Sequence, residues 1–284
     1  MRVEFRLDAS TRTPSASFCR DLNFSMLEIY DHIYDYPKYY DLIFAAEWKP
    51  EFEFLESVFQ KHGRRKVRSL FEPACGTGRL LYRFAKAGYI VAGNDLNSKA
   101  VAFCNQRLSR HGIEPTAQVG DMTDFVLHKR VDAAFNTINS FRHLQSDRLA
   151  IAHLKCMAAA ISPGGVYVVG FHLSPAVSDD EDEECWLACR GSLTVDSRMW
   201  FLERNHRKRF ETYGMSFCVK TPKHKFRIVD EVKFRTYNVA QFYRLLAQVP
   251  EFRLTAIYDF NYDSESTIEL NGDTEDAIFV LTVR

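Results

Sequence analysis

The stretch "LFEPACGTGRLL", Leu70 to Leu81, decides how the rest of the chain is read. An apolar run reaches an acidic residue, Glu72. Two glycines one residue apart, Gly76 and Gly78, then lead into a helical pattern. A strand, a glycine loop and a helix in that order present bare backbone to a nucleotide. A dinucleotide fingerprint needs a third glycine three residues after the second, and Leu81 stands there. A P-loop needs a lysine after its last glycine, and none follows Gly78 in that way. Both phosphate-binding readings fail at defined residues. What remains is a carboxylate followed by small residues at alternate positions, Glu72, Ala74, Gly76 and Gly78. A carboxylate aimed at the loop repels pyrophosphate and suits a ligand that carries an ammonium group.

Outward from the loop, short β-rich runs alternate with amphipathic helical stretches. "VRSLFEP" reads as a first strand, Gly78 to Ala87 as a helix, "YIVAGND" as a second strand and Ser98 to His111 as a second helix. "TAQVGD" and "VDAAFNTI" read as the third and fourth strands, Asp147 to Ile161 as a helix, and "GGVYVVGFHL" as a fifth strand. That alternation means a parallel sheet covered on both faces. After Pro175 the rhythm changes. The acidic run "DDEDEE", Asp179 to Glu184, reads as a solvated loop, because it lacks the spacing and glycine of a calcium loop. "SLTVDSRMWFLERNH", "SFCVKTPKHKF" and "RIVDEVKFRTY" then read as antiparallel strands. A helix over Val239 to Gln248 and the strands "FRLTAIYDF" and "DAIFVLTVR" close the chain. The expected organisation is a leader over 1–29, a core over 30–173, an antiparallel lid insert over 174–235 and a C-terminal unit over 236–284 that completes the core sheet.

The loop resembles the first motif of the class I S-adenosylmethionine-dependent methyltransferases, acidic-x-Gly-x-Gly-x-Gly, with Ala74 in place of the first glycine. The resemblance implies an α/β, Rossmann-like fold with a seven-stranded, mostly parallel sheet, and S-adenosyl-L-methionine as cofactor. It also implies roles for further residues. Asp95, 19 residues after Gly76, falls where the family places the acid that accepts from both ribose hydroxyls. In "GDM", Asp121 would accept from the adenine amino group and Met122 would supply backbone contact and a wall to the ring. Arg79, Leu96 and Asn136 are further expected cofactor contacts. "YDHIYDYPKYYDLIF", with Tyr30, Tyr34, Tyr36, Tyr39 and Tyr40, contains a segment similar to the Y-D-x-x-[YF] cover of many small-molecule methyltransferases. Tyr39 and Tyr40 are the residues that fit it best.

The fourth-strand loop, "FNTINSFRHL", carries the catalytic expectation. Its "NSFRHL" resembles the N-S-F-x-H-L stretch of glycine and sarcosine N-methyltransferases and of amino-sugar N-methyltransferases. Asn139, Arg142 and His143 are therefore the expected acceptor-side residues, with His143 suited to orient an amine or hydroxyl or to take its proton. After the fifth strand the glycine enzymes carry an arginine for the substrate carboxylate, where this chain has His172. The reading is methyl transfer to N or O of a small-molecule acceptor by in-line displacement. Two alternatives stay open: a protein or RNA methyltransferase, suggested by the basic run "RNHRKR" from Arg204 to Arg209, and a binding protein without catalysis.

Composition narrows the partners. Lysine plus arginine equal aspartate plus glutamate at 37 each, so no overall field draws the chain to nucleic acid or to an anionic membrane. The seven cysteines form no C-x-x-C pair, which suits a reducing compartment and speaks against a zinc site or disulfide framework. No apolar run reaches the ~18 residues needed to cross a bilayer. The leader weakly resembles a transit peptide, but Glu4 and Asp8 interrupt it. Cytoplasmic localisation, no metal and no membrane are expected, with assembly as a homodimer left open.

Overall fold

The computed structural model describes residues 26–174 and 183–284. At its centre is a seven-stranded sheet. Its strands are β2 (Ser69–Pro73), β3 (Ile90–Asp95), β4 (Ala117–Val119), β5 (Val131–Asn136), β6 (Ile161–His172), β11 (Phe252–Tyr258) and β12 (Asp276–Val283). They lie in the order β4-β3-β2-β5-β6-β12-β11, and β12 alone runs against the others. From β2 the chain builds outward to β3 and β4, then returns to place β5 and β6 on the other flank. The order therefore reverses at β2, and open α/β sheets bind ligands at the carboxyl ends of the strands beside such a point.

Strand alternation sorts the core into two layers, because successive side chains point to opposite faces. Leu70, Ala133, Phe135, Val166, Val168, Ile278 and Val280 pack on one face with Phe54, Leu55 and Phe59 of α2 (Lys49–His62), Phe84 of α3 (Leu81–Lys86) and Val101, Cys104 and Leu108 of α4 (Ser98–Arg110). Phe71, Ala134, Tyr167, Val169, Phe171, Phe279 and Leu281 face the other way, against Ala150, Leu154 and Met157 of α5 (Asp147–Ala160) and Phe242 and Leu245 of α6 (Val239–Leu246). Helix starts follow capping chemistry. Asn97 accepts from Lys99 and Ala100 N–H, Ser146 from Leu149 N–H, and Asn238 forms a reciprocal capping box with Gln241.

The insert is a second sheet, with β7 (Glu184–Arg190), β8 (Leu193–Asn205), β9 (Phe210–Lys220) and β10 (Lys225–Arg235) in an antiparallel meander. A fifth strand comes from outside it: β1 (Leu27–Tyr30) pairs parallel with β10. The leader expected over 1–29 thus ends before Leu27, because β10 offers an edge that sequence pattern alone does not reveal. Two other boundaries differ. The helix expected from Gly78 starts at Leu81, since Gly78 has φ +64° and cannot be helical. "SFCVKTPKHKF" is split by a turn at Thr221 to His224, closed by Thr221 N–H to His224 carbonyl at 2.8 Å. Of the acidic run, Asp179 to Asp182 lie outside the described residues.

The inner face of the insert packs on α1 (Pro37–Phe44) and the 3-10 turn Ile33–Asp35, with Ile33, Leu42, Ile43, Val195, Met215, Phe217, Val219 and Ile228 buried together. Ionic contacts fix the insert to the core. Arg142 pairs with Glu211 and donates from Nε to the Arg235 carbonyl at 3.1 Å. Asp147, in the first turn of α5, takes Arg209 at 2.9 Å and Arg235 at 2.9 Å. Removing one partner of a buried pair leaves the other charged and dry, so Glu211→Ala is expected to cost about 3–5 kcal/mol in urea unfolding. Arg204→Ala, which removes a more peripheral partner of the same carboxylate at 3.0 Å, is expected to cost about 1 kcal/mol or less.

Candidate functional site

The carboxyl ends of β2, β3, β4 and β5 meet around the glycine loop. Ala74, Gly76 and Gly78 all have positive φ, at 51°, 52° and 64°. The left-handed region is open to glycine and costs about 1–2 kcal/mol for alanine, so Ala74 holds a strained position. Gly78 has a second constraint: a Cβ there would meet Cys104 Sγ at 2.3 Å. Nothing lies within 4 Å of where a Cβ on Gly76 would point, which leaves its face open for a ligand.

Three acceptor groups surround this opening. Glu72 is half-buried, and its Oε2 is buried with no hydrogen-bond partner. Burial pushes its carboxyl well above the usual range, with the Arg79 guanidinium pulling the other way. Asn136 donates from Nδ2 to the Pro73 carbonyl at 2.6 Å, and its Oδ1 is likewise buried without a donor. Asp95 accepts Gly76 N–H on Oδ2 and Asn97 N–H on Oδ1, both at 2.8 Å. Burial raises its carboxyl, and those two N–H groups oppose the rise. Unsatisfied buried acceptors are costly, so Glu72 and Asn136 are suited to donors that a ligand brings.

On the adenine side that the resemblance implies, Asp121 accepts Thr123 N–H on Oδ1 at 2.7 Å. Met122 differs from expectation. Its side chain is buried in the core rather than exposed as a wall, and its carbonyl is bound by His153 Nδ1 at 2.9 Å. Exposed apolar residues stand at the strand ends: Leu96 after β3, Val119 closing β4 and Ile138 after β5, at 70%, 58% and 47% exposure. Leu96 was expected there; Val119 and Ile138 were not singled out, because single apolar residues at strand ends carry no periodic signal.

The N-terminal cover closes the other side. Tyr40 lies near Arg79 and Asp95 and meets Tyr34 edge-on, ring centres 5.4 Å apart. Tyr39 points elsewhere, stacking on Tyr36 at 6.2 Å and meeting Phe226 of the insert at 6.1 Å. Its expected place beside the cofactor is corrected by helix geometry, since neighbours on α1 point about 100° apart. Arg79 pairs with Glu51 of α2, and Glu51 also accepts from Thr137 Oγ1. Burial works against the Arg79 charge, and Glu51, Tyr262 and Glu72 together more than restore it. Glu51 had a readable signal: it occupies the helical stripe that continues through Phe54, Leu55 and Val58, where an apolar residue is the rule.

Of the three acceptor-side residues, one faces the cover. His143 Nε2 lies 3.2 Å from the Tyr34 hydroxyl, its ring 5.6 Å from Tyr34 and 5.0 Å from Phe234. Burial, helped by Arg142 and His32, lowers its pKa to about 4, so it is neutral at pH 7. Arg142 turns away into its pair with Glu211, and Asn139 spends its Oδ1 on the His172 N–H at 2.8 Å from a left-handed backbone, φ 54°. Both expectations are corrected for one reason: the loop needs these side chains to hold the insert and β6. His172 pairs through Nδ1 with Asp276.

Comparisons with known proteins bear on the domain and its fold. Residues 71–165 match the family described as a methyltransferase domain. Over 135 residues the chain is 33% identical to dTDP-3-amino-3,6-dideoxy-alpha-D-glucopyranose N,N-dimethyltransferase of Streptomyces fradiae, covering 46% of this chain and 50% of that protein. Over 104 residues it is 32% identical to dTDP-3-amino-3,4,6-trideoxy-alpha-D-glucopyranose N,N-dimethyltransferase of Streptomyces venezuelae, covering 37% and 42%. The chain thus spans about half the length, or less, of the curated relatives it matches. Among solved structures, Streptomyces venezuelae DesVI superposes with a TM-score of 0.70 at 22% identity, covering 90% of this chain and 100% of that one. The sugar N-methyltransferase KedS8 from Streptoalloteichus sp ATCC 53650 gives 0.72 at 18% identity, covering 93% and 99%. The fold is that of these enzymes.

The depressed histidines give a pH dependence with a defined sign. His143 and the buried His153 both have folded pKa values of about 4, below the ordinary 6.5. Between those values the unfolded chain binds more protons than the folded one, so stability falls as pH drops from about 6.5 to 4. A shift of this size corresponds to roughly 3 kcal/mol per histidine at the acid end. Urea midpoints measured from pH 7.5 to 4.5 are expected to fall, and His143→Gln is expected to flatten the slope by about one proton.

Proposed function

We propose that this chain, a class I S-adenosylmethionine-dependent methyltransferase by its domain and fold, transfers a methyl group to the nitrogen of a small amine acceptor. The observation that carries the cofactor half is the pair of buried, unsatisfied acceptors, Glu72 Oε2 and Asn136 Oδ1, beside a glycine loop with an open face. They fit a ligand whose amino-acid end brings an ammonium group. Its positive charge would offset the burial that now holds the Glu72 carboxyl up. In this reading Asp95 accepts from the ribose hydroxyls and Asp121 from the adenine amino group, and Leu96, Val119 and Ile138 cover the ring. Arg79, already charged against Glu51, suits the carboxylate end.

When bound, that cofactor supplies a methyl group already activated by its sulfonium charge. The chain's contribution is placement, which for two oriented reactants supplies much of the rate. Tyr34 and Tyr40 exclude water from one side, and burial keeps both hydroxyls protonated. His143 Nε2, neutral and within hydrogen-bond distance of Tyr34 Oη, is the group suited to orient the acceptor nitrogen by a hydrogen bond. The relatives named above act on the amino groups of nucleotide-linked sugars, and an amine on a comparable small scaffold is the acceptor class we favour. A polymer acceptor loses its main support. In the basic run, Arg204 pairs with Glu211 and Arg209 with Asp147, so neither is free to dock a polyanion.

Calorimetry with S-adenosylmethionine and its demethylated product tests the cofactor half. Asp95→Ala is expected to weaken binding by about 1.5–3 kcal/mol, roughly ten- to a hundredfold; equal affinity in variant and parent would remove the ribose assignment. Turnover of an amino-sugar nucleotide tests the other half. His143→Ala is expected to lower kcat by about 10² with cofactor affinity nearly unchanged, the pattern of a group that acts in the transition state. A joint collapse of cofactor binding and thermal stability would assign the histidine to the scaffold.

A further inference from the structure

Asp41 follows Tyr40 on α1 and is turned inward, 2% exposed, the one charged side chain beside the buried Leu42 and Ile43 of that helix. Its two oxygens end on two different parts of the core. Oδ1 accepts from Thr77 Oγ1 at 3.0 Å, and Oδ2 pairs with Arg107 of α4. Arg107 closes the triangle by donating from Nη1 to the Thr77 carbonyl at 3.1 Å. Thr77 sits between the two left-handed glycines, so the side chain and carbonyl of the loop's central residue are both held by this one junction. An apolar contact could fasten α1 just as firmly, since a buried ion pair adds little net stability over well-packed hydrophobic residues. What a carboxylate adds is direction: it fixes where the loop stands relative to the helix.

From this junction a short path leads to the acceptor side. Asp41 is joined by one peptide bond to Tyr40, whose ring meets Tyr34 at 5.4 Å, and the Tyr34 hydroxyl lies 3.2 Å from His143 Nε2. We propose that Asp41 is a positioning residue that couples the glycine loop to the tyrosine cover, so that cofactor in the loop sets Tyr40 and Tyr34 against the acceptor beside His143. The proposal rests on the cofactor reading above. Coupling of this kind is reciprocal: whatever a closed cover contributes to cofactor affinity, the cofactor returns as order in the cover. It implies that cofactor binds before acceptor, because the acceptor's wall is assembled only when the loop is filled.

Hydrogen exchange over residues 33–44, with and without S-adenosylhomocysteine, tests it on the full chain. In the parent, the ligand is expected to slow exchange in this segment at least tenfold. Thr77→Val removes the hydroxyl and leaves the Asp41–Arg107 pair in place. It is expected to reduce the ligand-dependent slowing to under twofold, with affinity for the ligand lowered by no more than about tenfold. Asp41→Asn is expected to behave the same way if it folds, and Thr77→Val keeps the test decisive if it does not. A merely structural role would raise exchange equally with and without ligand, so equal slowing in Thr77→Val and parent would overturn the coupling. So would a parent that binds the ligand with no slowing in this segment. A parent that fails to bind S-adenosylhomocysteine would instead overturn the cofactor reading, and the coupling with it.

Discussion

A buried charge cannot be left alone, and three arginines make the architecture answer to that constraint. Arg79 leaves the glycine loop, Arg107 projects from α4 and Arg142 from the loop after β5, and each ends on a buried carboxylate from a different covering element. Glu51 brings α2, Asp41 brings α1 and Glu211 brings the insert. The sheet and its two apolar layers would form from hydrophobic burial alone, which is strong but non-directional. The covering layers need direction. An ion pair lowers the cost of burying its members only at close range and in good geometry, so each pair fixes one element against the sheet in one arrangement.

The same low-dielectric setting makes the opening chemically one-sided. Glu72, Asp95 and Asn136 offer acceptors, two of them with atoms that find no donor within the protein, while the sulfur, ribose and amino groups of a fitting cofactor would bring donors and positive charge. On the far side burial acts on His143 by disfavouring its charged form, holding the ring neutral and its Nε2 beside the Tyr34 hydroxyl. One physical cause, loss of water, thus prepares a cation-seeking end and a neutral hydrogen-bonding end in a single cleft. The strain at Ala74 and the left-handed Asn139 fall at its two borders, after β2 and after β5, where the chain must turn sharply to leave the sheet.

Much of this was legible in the sequence. The alternation of β-rich runs and helical stretches gave the parallel sheet, because side-chain period reports directly on which face is buried. The failure of Leu81 to be glycine, together with Glu72, excluded dinucleotides. Asp95, Asp121 and Gly76 stand at the carboxyl edge because spacing within βα units is local. Less legible were residues whose partners are remote. Arg142, Asn139 and Tyr39 sit in stretches with a family resemblance, yet their side chains are taken by Glu211, by the His172 backbone and by Phe226. Asp41 and Thr77 went unread for the converse reason: ordinary residues in local context, they acquire their importance from each other, 36 positions apart, whereas Glu51 carried a local signal but not the identity of its partners.

The sequence by itself therefore determined the sheet, its two-layer core and the chemistry of the glycine loop, since each depends on residues within one strand–helix unit and on a periodicity that burial imposes. Tertiary structure alone decided how the opening is roofed. It paired β1 with β10, turned Tyr40 inward and Tyr39 outward, and of the three expected acceptor-side residues left only His143 facing Tyr34. The physical reason is that a side chain's role at a site is set by which of its competing partners lies within about 3 Å, and for these residues the competitors arrive from opposite ends of the chain.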